Sequence, residues 1–428
     1  MRLRPRTGLW RHSDFLKLWS AQSISQLGTQ VSVLAIPLAA ILVLHASAFE
    51  VASLNTVDFL PFLLFSLPAG VWVDRLPRRP ILVLADAGRA VALTSIPVAY
   101  ALGGLTIWQL YAVGFTTGTL TVFFDVSYQS YLPSLVEREQ LVDGNAKLEI
   151  SRSAAQVGGP GLGGVLVGLA SAPYAILVDA ASYVWSALFI LSIRRPESAP
   201  EPASGRSVRG ELWEGLRYLV GHRLWRPISI SIATNNFFSN VAWAILLVYA
   251  VRRLHLSPEL IGLALALGSI GAFVGAVVVR RVPARFGVGP AIAGSSWLAG
   301  PAMLLVVFAP VSFPVPFLIG AIAIGEFSIV IFNVTAISLV QSVAPERMLG
   351  RLNASRRFIV WGVIPVGSFA GGLMASWIGL RATLLVGAIG QSFAFVPLVF
   401  SPLRSVRVMP EPEELSAVSI PRSAPTDA

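Results

Sequence analysis

Carboxyl and amide groups set inside long apolar runs are where this chain could bind or move something. Glu326 stands near the middle of the run 313–341, with Asn333 one heptad further on and so on the same helical face. No basic residue shares that run. An ionised carboxylate in hydrocarbon costs several kcal/mol, which makes such a residue a functional candidate by default. Two readings are open. Glu326 binds and releases a proton or a cation, or it is a structural acid hydrogen-bonded to another helix. The first is preferred, and Asp58, partway into the run 51–73, is a second candidate for proton coupling.

The run 15–44 carries Gln22, Ser25, Gln26, Thr29 and Gln30, a polar stripe of helical period. Such a stripe faces either a water-filled cavity or a neighbouring helix. The cavity is favoured, because three amides are hard to satisfy in a dry interface. Asn235, Asn236 and Asn240 answer it in the run 226–250. Gln22, Gln26, Gln30, Asn235, Asn236, Asn240 and Asn333 are therefore the candidate cavity lining.

A second constellation is cationic. The run 51–73 ends in Gly70-Val-Trp-Val-Asp74-Arg75-Leu-Pro-Arg78-Arg79-Pro80, and another apolar run starts at Ile81. This is a tight turn between two membrane helices, and Lys and Arg near helix ends accumulate on the cytoplasmic side. Asp74 can sit against a helix N-terminus or pair with an arginine. Asp86 and Arg89, at i and i+3, and Asp125 lie at a similar depth. They read as a latch that is bonded in one state and broken in another, or as static neutralisation of the turn. Asp179 and the pair Glu149/Arg152 read as structural.

Other chemistry is missing. There is no cysteine, and the four histidines (His12, His45, His222, His255) offer no metal-ligand spacing. Neither a nucleophile–base arrangement nor a phosphate-cradling loop stands out. No catalytic residue, no metal and no cofactor is expected.

The elements that position these groups follow from composition. Of 428 residues 55% are hydrophobic and 13% charged, against about 25% charged in soluble domains. The chain is an all-α polytopic membrane protein. Its net charge of +10 is spread over short loops rather than one face, so no nucleic-acid partner is expected. Runs of about 20 apolar residues span a bilayer. Twelve candidates lie at 15–44, 51–73, 81–103, 106–131, 149–170, 173–193, 226–250, 259–280, 289–309, 313–341, 355–378 and 381–401. The first is too long for a signal peptide and lacks a cleavage site.

Placing both termini in the cytoplasm puts almost every basic loop on that side, with Arg252, Arg253 and Arg381 as the exceptions. The expected organisation is a cytoplasmic segment 1–14, a six-helix bundle 15–193, a cytoplasmic linker 194–225, a second bundle 226–401 and a disordered tail 402–428. Leu212, Leu216, Leu219 and Val220 give the linker an amphipathic helix.

The halves look like diverged copies. Asn145 precedes Gly163-Gly164 by the interval at which Asn353 precedes Gly371-Gly372. At a slightly shorter offset Gly70 falls on Gly275 and Arg75 on Arg280, while Asp74 falls on Val279. Gly158, Gly159, Pro160, Gly163, Gly164, Gly371 and Gly372 are small or helix-bending residues suited to close helix packing in lipid.

The basic turn resembles the signature G-x-x-x-D-R-x-G-R-R/K of the major facilitator superfamily, with Pro77 in place of its glycine. Gly159-Pro160-Gly161-Leu162-Gly163-Gly164 resembles the fifth-helix signature of its drug/proton antiporters. Leu9 to Trp19, Asp86-x-x-Arg89, Tyr131-Leu132-Pro133, Gly144-Asn145-Ala146 and Leu349 to Ala354 are similar to the bacterial branch with macrolide-efflux and enterobactin-exporter proteins. The resemblance covers residues 9 to about 404. It implies twelve transmembrane helices in two pseudo-symmetric six-helix bundles, with a substrate site between them near the midplane. It also implies that Asp125 pairs with Arg78 in the gate. The expected activity is proton-coupled efflux of a small amphipathic molecule (antibiotic, siderophore or metabolite) across the bacterial inner membrane. The proton gradient would be its energy source and a monomer its working form. An importer of a polar solute, or a non-transporting scaffold or sensor, are the alternatives.

Overall fold

A computed structural model describes residues 8–73, 75–195, 197, 217, 221–343 and 346–408, the segment 346–359 by its backbone. Helices α1 (Ser13–Leu42), α2 (Ala48–Val73), α3 (Arg78–Ala101), α4 (Ile107–Leu135), α5 (Leu141–Ala170) and α6 (Ala172–Leu191) form a first set. The second set is α7 (Trp225–Arg252), α8 (Pro258–Val278, interrupted at Ser269), α9 (Val288–Val307), α10 (Val315–Val343), α11 (Glu346–Ile378) and α12 (Leu380–Val399, interrupted at 393–395).

Ten of these helices contain segments long and apolar enough to cross a membrane. α4 and α5 match them in length but are more polar, so the count of twelve rests for those two on length and packing. Helix is what such runs must adopt in lipid, where every backbone N–H and C=O needs an internal partner. Two helices begin earlier than their apolar stretch. α5 starts at Leu141 rather than 149 and α11 at Glu346 rather than 355. In α5 the polar extension carries the i,i+4 pair Lys147–Asp143 at 2.7 Å, and the i,i+3 pair Arg152–Glu149 follows it; such pairs favour helix without hydrocarbon.

The helix junctions repeat. His45 (φ 51°) lies three residues beyond α1 and His255 (φ 52°) three beyond α7, each with a serine two residues on, just before the next helix. Ser171 (φ 76°) between α5 and α6 corresponds to Gly379 (φ 83°) between α11 and α12. The packing repeats as well. α1 packs on α5 and α6, α2 on α4, and α3 on α4 and α6; α7 packs on α11 and α12, α8 on α10, and α9 on α10 and α12.

Between the sets the main contacts are α2 with α11 and α5 with α8. One apolar core runs through both sets at the end that holds Ile41, Val51, Ile176, Tyr249 and Ile261. At the other end each set closes on its own core. Phe15, Leu18, Leu82, Tyr131 and Ile190 form one, and Ile228, Ile292, Leu339 and Leu398 the other. The molecule is shut at the arginine-poor end and divided at the arginine-rich end.

The tail begins as structure, contrary to the expected disorder from 402. Pro402–Ser405 is a single 3-10 turn, Leu403 is fully buried, and the Gly289 N–H donates to the Val406 carbonyl at 2.8 Å. Leu403 and Val406 are apolar in an otherwise polar segment and join the second set's lower core. Leu9–Arg11 forms a similar turn, with Leu9 buried in the first set. Residues 409–428, and all of the linker's amphipathic stretch but Arg217, lie outside the described residues.

Candidate functional site

The shut end is built from small residues. In each set the repeated glycine pair divides two tasks. Gly163 admits Val31 of its own set's first helix, while Gly164 lies against Pro258 and Gly262 of the opposite set. Gly371 admits Val241 of α7, and Gly372 lies against Phe49 and Ala52 of α2. Gly159 receives the Gln30 side chain, and the Pro160 carbonyl abuts Gly262. Gly158 differs from the expectation: a Cβ there would meet nothing within 4 Å, so close packing does not explain it. Polar ties complete the seam. Asn55 Nδ2 donates to Ser368 Oγ at 2.7 Å, Thr56 Oγ1 to the Pro365 carbonyl at 3.3 Å, and Arg252 Nη2 to the Ala46 carbonyl at 2.5 Å.

The basic turn caps α3. Glu197 accepts from the backbone N–H groups of Arg78 (2.8 and 2.9 Å) and Arg79 (3.2 Å), and the Arg78 guanidinium stands 3.6 Å from it. A carboxylate is favoured at a helix N-terminus. Arg79 donates to the Ile190 and Leu191 carbonyls at the end of α6. Arg75 is exposed, Gly70 has open space around it, and Asp74 lies outside the described residues. Glu197 is thus a partner of Arg78 that the sequence reading did not name.

Asp86 and Arg89 belong to the interior of the first set rather than to the turn. Arg89 pairs with Asp86, and Nη1 donates to Thr121 Oγ1 at 3.4 Å. Its guanidinium is clamped between Phe124 (4.4 Å) of α4 and Tyr183 (4.1 Å) of α6, a desolvated cation–π arrangement. Asp179 of α6 is 1% exposed and faces Ser182 at 3.2 Å. Its field and those of Asp86 and the half-buried Asp125 all act on Arg89. Gly28 lets α1 approach this group, since a Cβ there would run into Ser182 and Asp179. Sequence reasoning read Asp179 as structural; its signal was an acid within a membrane span.

Glu326 lines a small cavity of about 40 Å³ inside the second set, together with Ser239 and Trp243 of α7, Met303 of α9 and Gln391 of α12. Gln391 is 6% exposed; its Nε2 donates to Asn235 Oδ1 at 3.2 Å, and its Oε1 has no hydrogen-bond partner. Gln391, Ser239 and Trp243 were missed by the sequence reading, although Gln391 is a lone amide in the last apolar run. Among the described residues no hydrogen bond or ion pair is formed by the carboxylate of Glu326 or of Asp58. Asp58 is half-buried in α2, its carbonyl pressed against Gly118 of α4.

The amides of the polar stripes have different partners. Gln22 is 7% exposed within the first set, Gln26 is half-buried, and Gln30 leans on α5. Asn236 Nδ2 reaches the Val360 carbonyl of α11 at 3.5 Å, and Asn240 Nδ2 bonds back to the Asn236 carbonyl at 2.8 Å. Asn333 is exposed. Of the seven, Asn235 alone reaches the Glu326 cavity, through Gln391. A helical period places side chains on a face but does not say what that face meets.

Residues 8–418 match the family described as transmembrane secretion effector. The chain is 26% identical over 402 residues to the multidrug efflux pump Tap of Mycolicibacterium fortuitum, covering 90% of this chain and 95% of that one. It is 24% identical over 390 residues to the enterobactin exporter EntS of Citrobacter koseri, covering 90% of each. Its fold is similar to the crystal structure of a bacterial homologue of the iron transporter ferroportin in the inward-facing state. That match has a TM-score of 0.71 and 18% identity, covering 93% of this chain and all of the other.

Proposed function

From a chain that belongs to the major facilitator superfamily, in its transmembrane secretion effector family, we infer a proton-coupled exporter of small amphipathic molecules. The chain is a multi-pass membrane transporter; the direction, coupling and cargo are this proposal. It works by alternating access in the bacterial inner membrane, as a monomer, with both termini in the cytoplasm and the proton gradient as its energy source. The observation that carries the reading is the uneven division of the core. The two sets share one core at the arginine-poor end and keep separate cores at the arginine-rich end. Since Lys and Arg mark the cytoplasmic side, this is a state closed to the outside and open to the cytoplasm, ready to load cargo from within. The Glu326 cavity supports a binding role because an acid and an amide sit there in a largely apolar wall.

Efflux of a reporter drug into inverted vesicles tests the proposal. Uptake should follow an imposed proton gradient and vanish with an uncoupler and with Glu326→Gln. Uptake that survives both treatments overturns the coupling scheme.

A further inference from the structure

The Glu326 cavity lies in the second set, yet the most deeply buried charges lie in the first. Asp86 is fully buried, Asp179 is 1% exposed and Arg89 is 5% exposed. One guanidinium thus serves two carboxyl groups on different helices, α3 and α6. Arg89 is bonded to Asp86 and held in place by the rings of Phe124 and Tyr183, and among the described residues no ion pair joins it to Asp179. With Asp86 and Arg89 cancelling, a second ionised carboxyl group would stand uncompensated in a dry interior, which is the arrangement proteins avoid.

The groups facing Asp179 do not supply a second positive charge. From α1 it meets Ser32, with the backbone at Gly28 close by. On α6 it meets Ser182 and Tyr183. Arg89 and Asp86 face it from α3, and Asp125 of α4 acts on Arg89. From α5, which also packs on α6, no titratable group acts on Asp179 among the described residues.

Hydroxyl groups stand beside both carboxyl groups, the fully buried Ser186 at Asp86 and the buried Ser32 at Asp179. A serine hydroxyl can donate to a carboxylate or accept from a carboxyl O–H, so it serves either protonation state. Tyr183 then links the cluster to the half-buried Thr29 through a 2.8 Å hydroxyl–hydroxyl contact, which leads into the polar stripe of α1.

We propose that the Asp86–Arg89–Asp179 cluster is a proton-binding site inside the first bundle, with Asp179 the carboxyl group that gains and loses the proton. On release the Asp179 O–H bond breaks, the proton passes to water through the α1 stripe, and the carboxylate left behind accepts from the Ser182 hydroxyl. The site is separate from Glu326 and stands whichever way cargo moves.

Infrared difference spectra of the full chain in lipid nanodiscs, recorded between acidic and alkaline buffer, test this without any transport measurement. The expected result is a neutral-carboxyl C=O band that titrates in the unaltered protein and persists in Glu326→Gln and Asp58→Asn. It should be lost in Asp179→Asn and displaced in Asp179→Glu. The glutamate variant retains the acid, so the test holds even where the asparagine variant fails to fold. A band unmoved by Asp179→Glu, or one that does not change with pH, overturns the proposal.

Discussion

Gly164 of α5 and Gly262 of α8 meet backbone to backbone. A Cβ added to either would stand 2.9 Å from the other's Cα, closer than side-chain carbon packs. They come from opposite sets, so this contact belongs to the shut end and disappears when that end opens. Gly164→Ala should therefore destabilise the closed end by about 1–3 kcal/mol, the usual cost of overpacking, and shift the population toward outside-open by roughly 5- to 150-fold. The chain has no cysteine, so a single cysteine at Asn55 on the seam reports opening by its labelling rate. Labelling no faster in Gly164→Ala than in the parent would count against this role. Gly158→Ala, which meets open space, is the matched control.

Arg252 was an exception to the charge rule, being basic at the arginine-poor end. The structure explains it, since its guanidinium donates to the Ala46 carbonyl beyond the end of α1. That bond joins the two sets where they are shut. A hydrogen bond to a charged group is worth about 1.5–3 kcal/mol, so Arg252→Gln should raise the same labelling rate by roughly an order of magnitude or more. Combined with Gly164→Ala, the effects should add if the two contacts are independent.

The fold was legible because hydrocarbon allows few solutions. Apolar runs become helices, arginines mark one side, and the repeated glycine pair 163–164 and 371–372 exposed the duplication. The division of labour within that pair was not legible, because it depends on which helix crosses each glycine. The site was read less well. Glu326 is in a cavity, but its companions Gln391, Ser239 and Trp243 come from other helices, and a single sequence does not say which faces meet. Asp86 and Arg89 were placed beside the basic turn by depth alone, whereas ring clamping by Phe124 and Tyr183 draws them into the bundle interior.

Arg89 should be the least replaceable charge in the chain. Removing one partner of a buried pair strands the other and costs about 3–5 kcal/mol, so Arg89→Leu should lower the melting temperature sharply and reduce the yield of monodisperse protein. Arg89→Lys should rescue it only in part, because an ammonium cannot stack between two rings as a planar guanidinium does. Fluorescence-detected thermal unfolding in detergent measures both. A lysine variant as stable as the parent would show that charge alone matters and that the clamp of Phe124 and Tyr183 does not.

Gln391 offers a way to separate binding from folding. Its Oε1 is buried without a partner, while its Nε2 serves Asn235. Leucine is close in volume and removes an unsatisfied acceptor, which repays most of the lost hydrogen bond, so Gln391→Leu should change stability by no more than about 1 kcal/mol. Its effect on the Glu326 cavity should be larger, because the amide is one of the few polar groups there that can orient a ligand. The expected outcome is a near-parental melting curve with reporter efflux reduced several-fold and its apparent KM raised. If efflux is untouched while stability falls, Gln391 is a brace for Asn235 and the cavity beside Glu326 does not receive cargo.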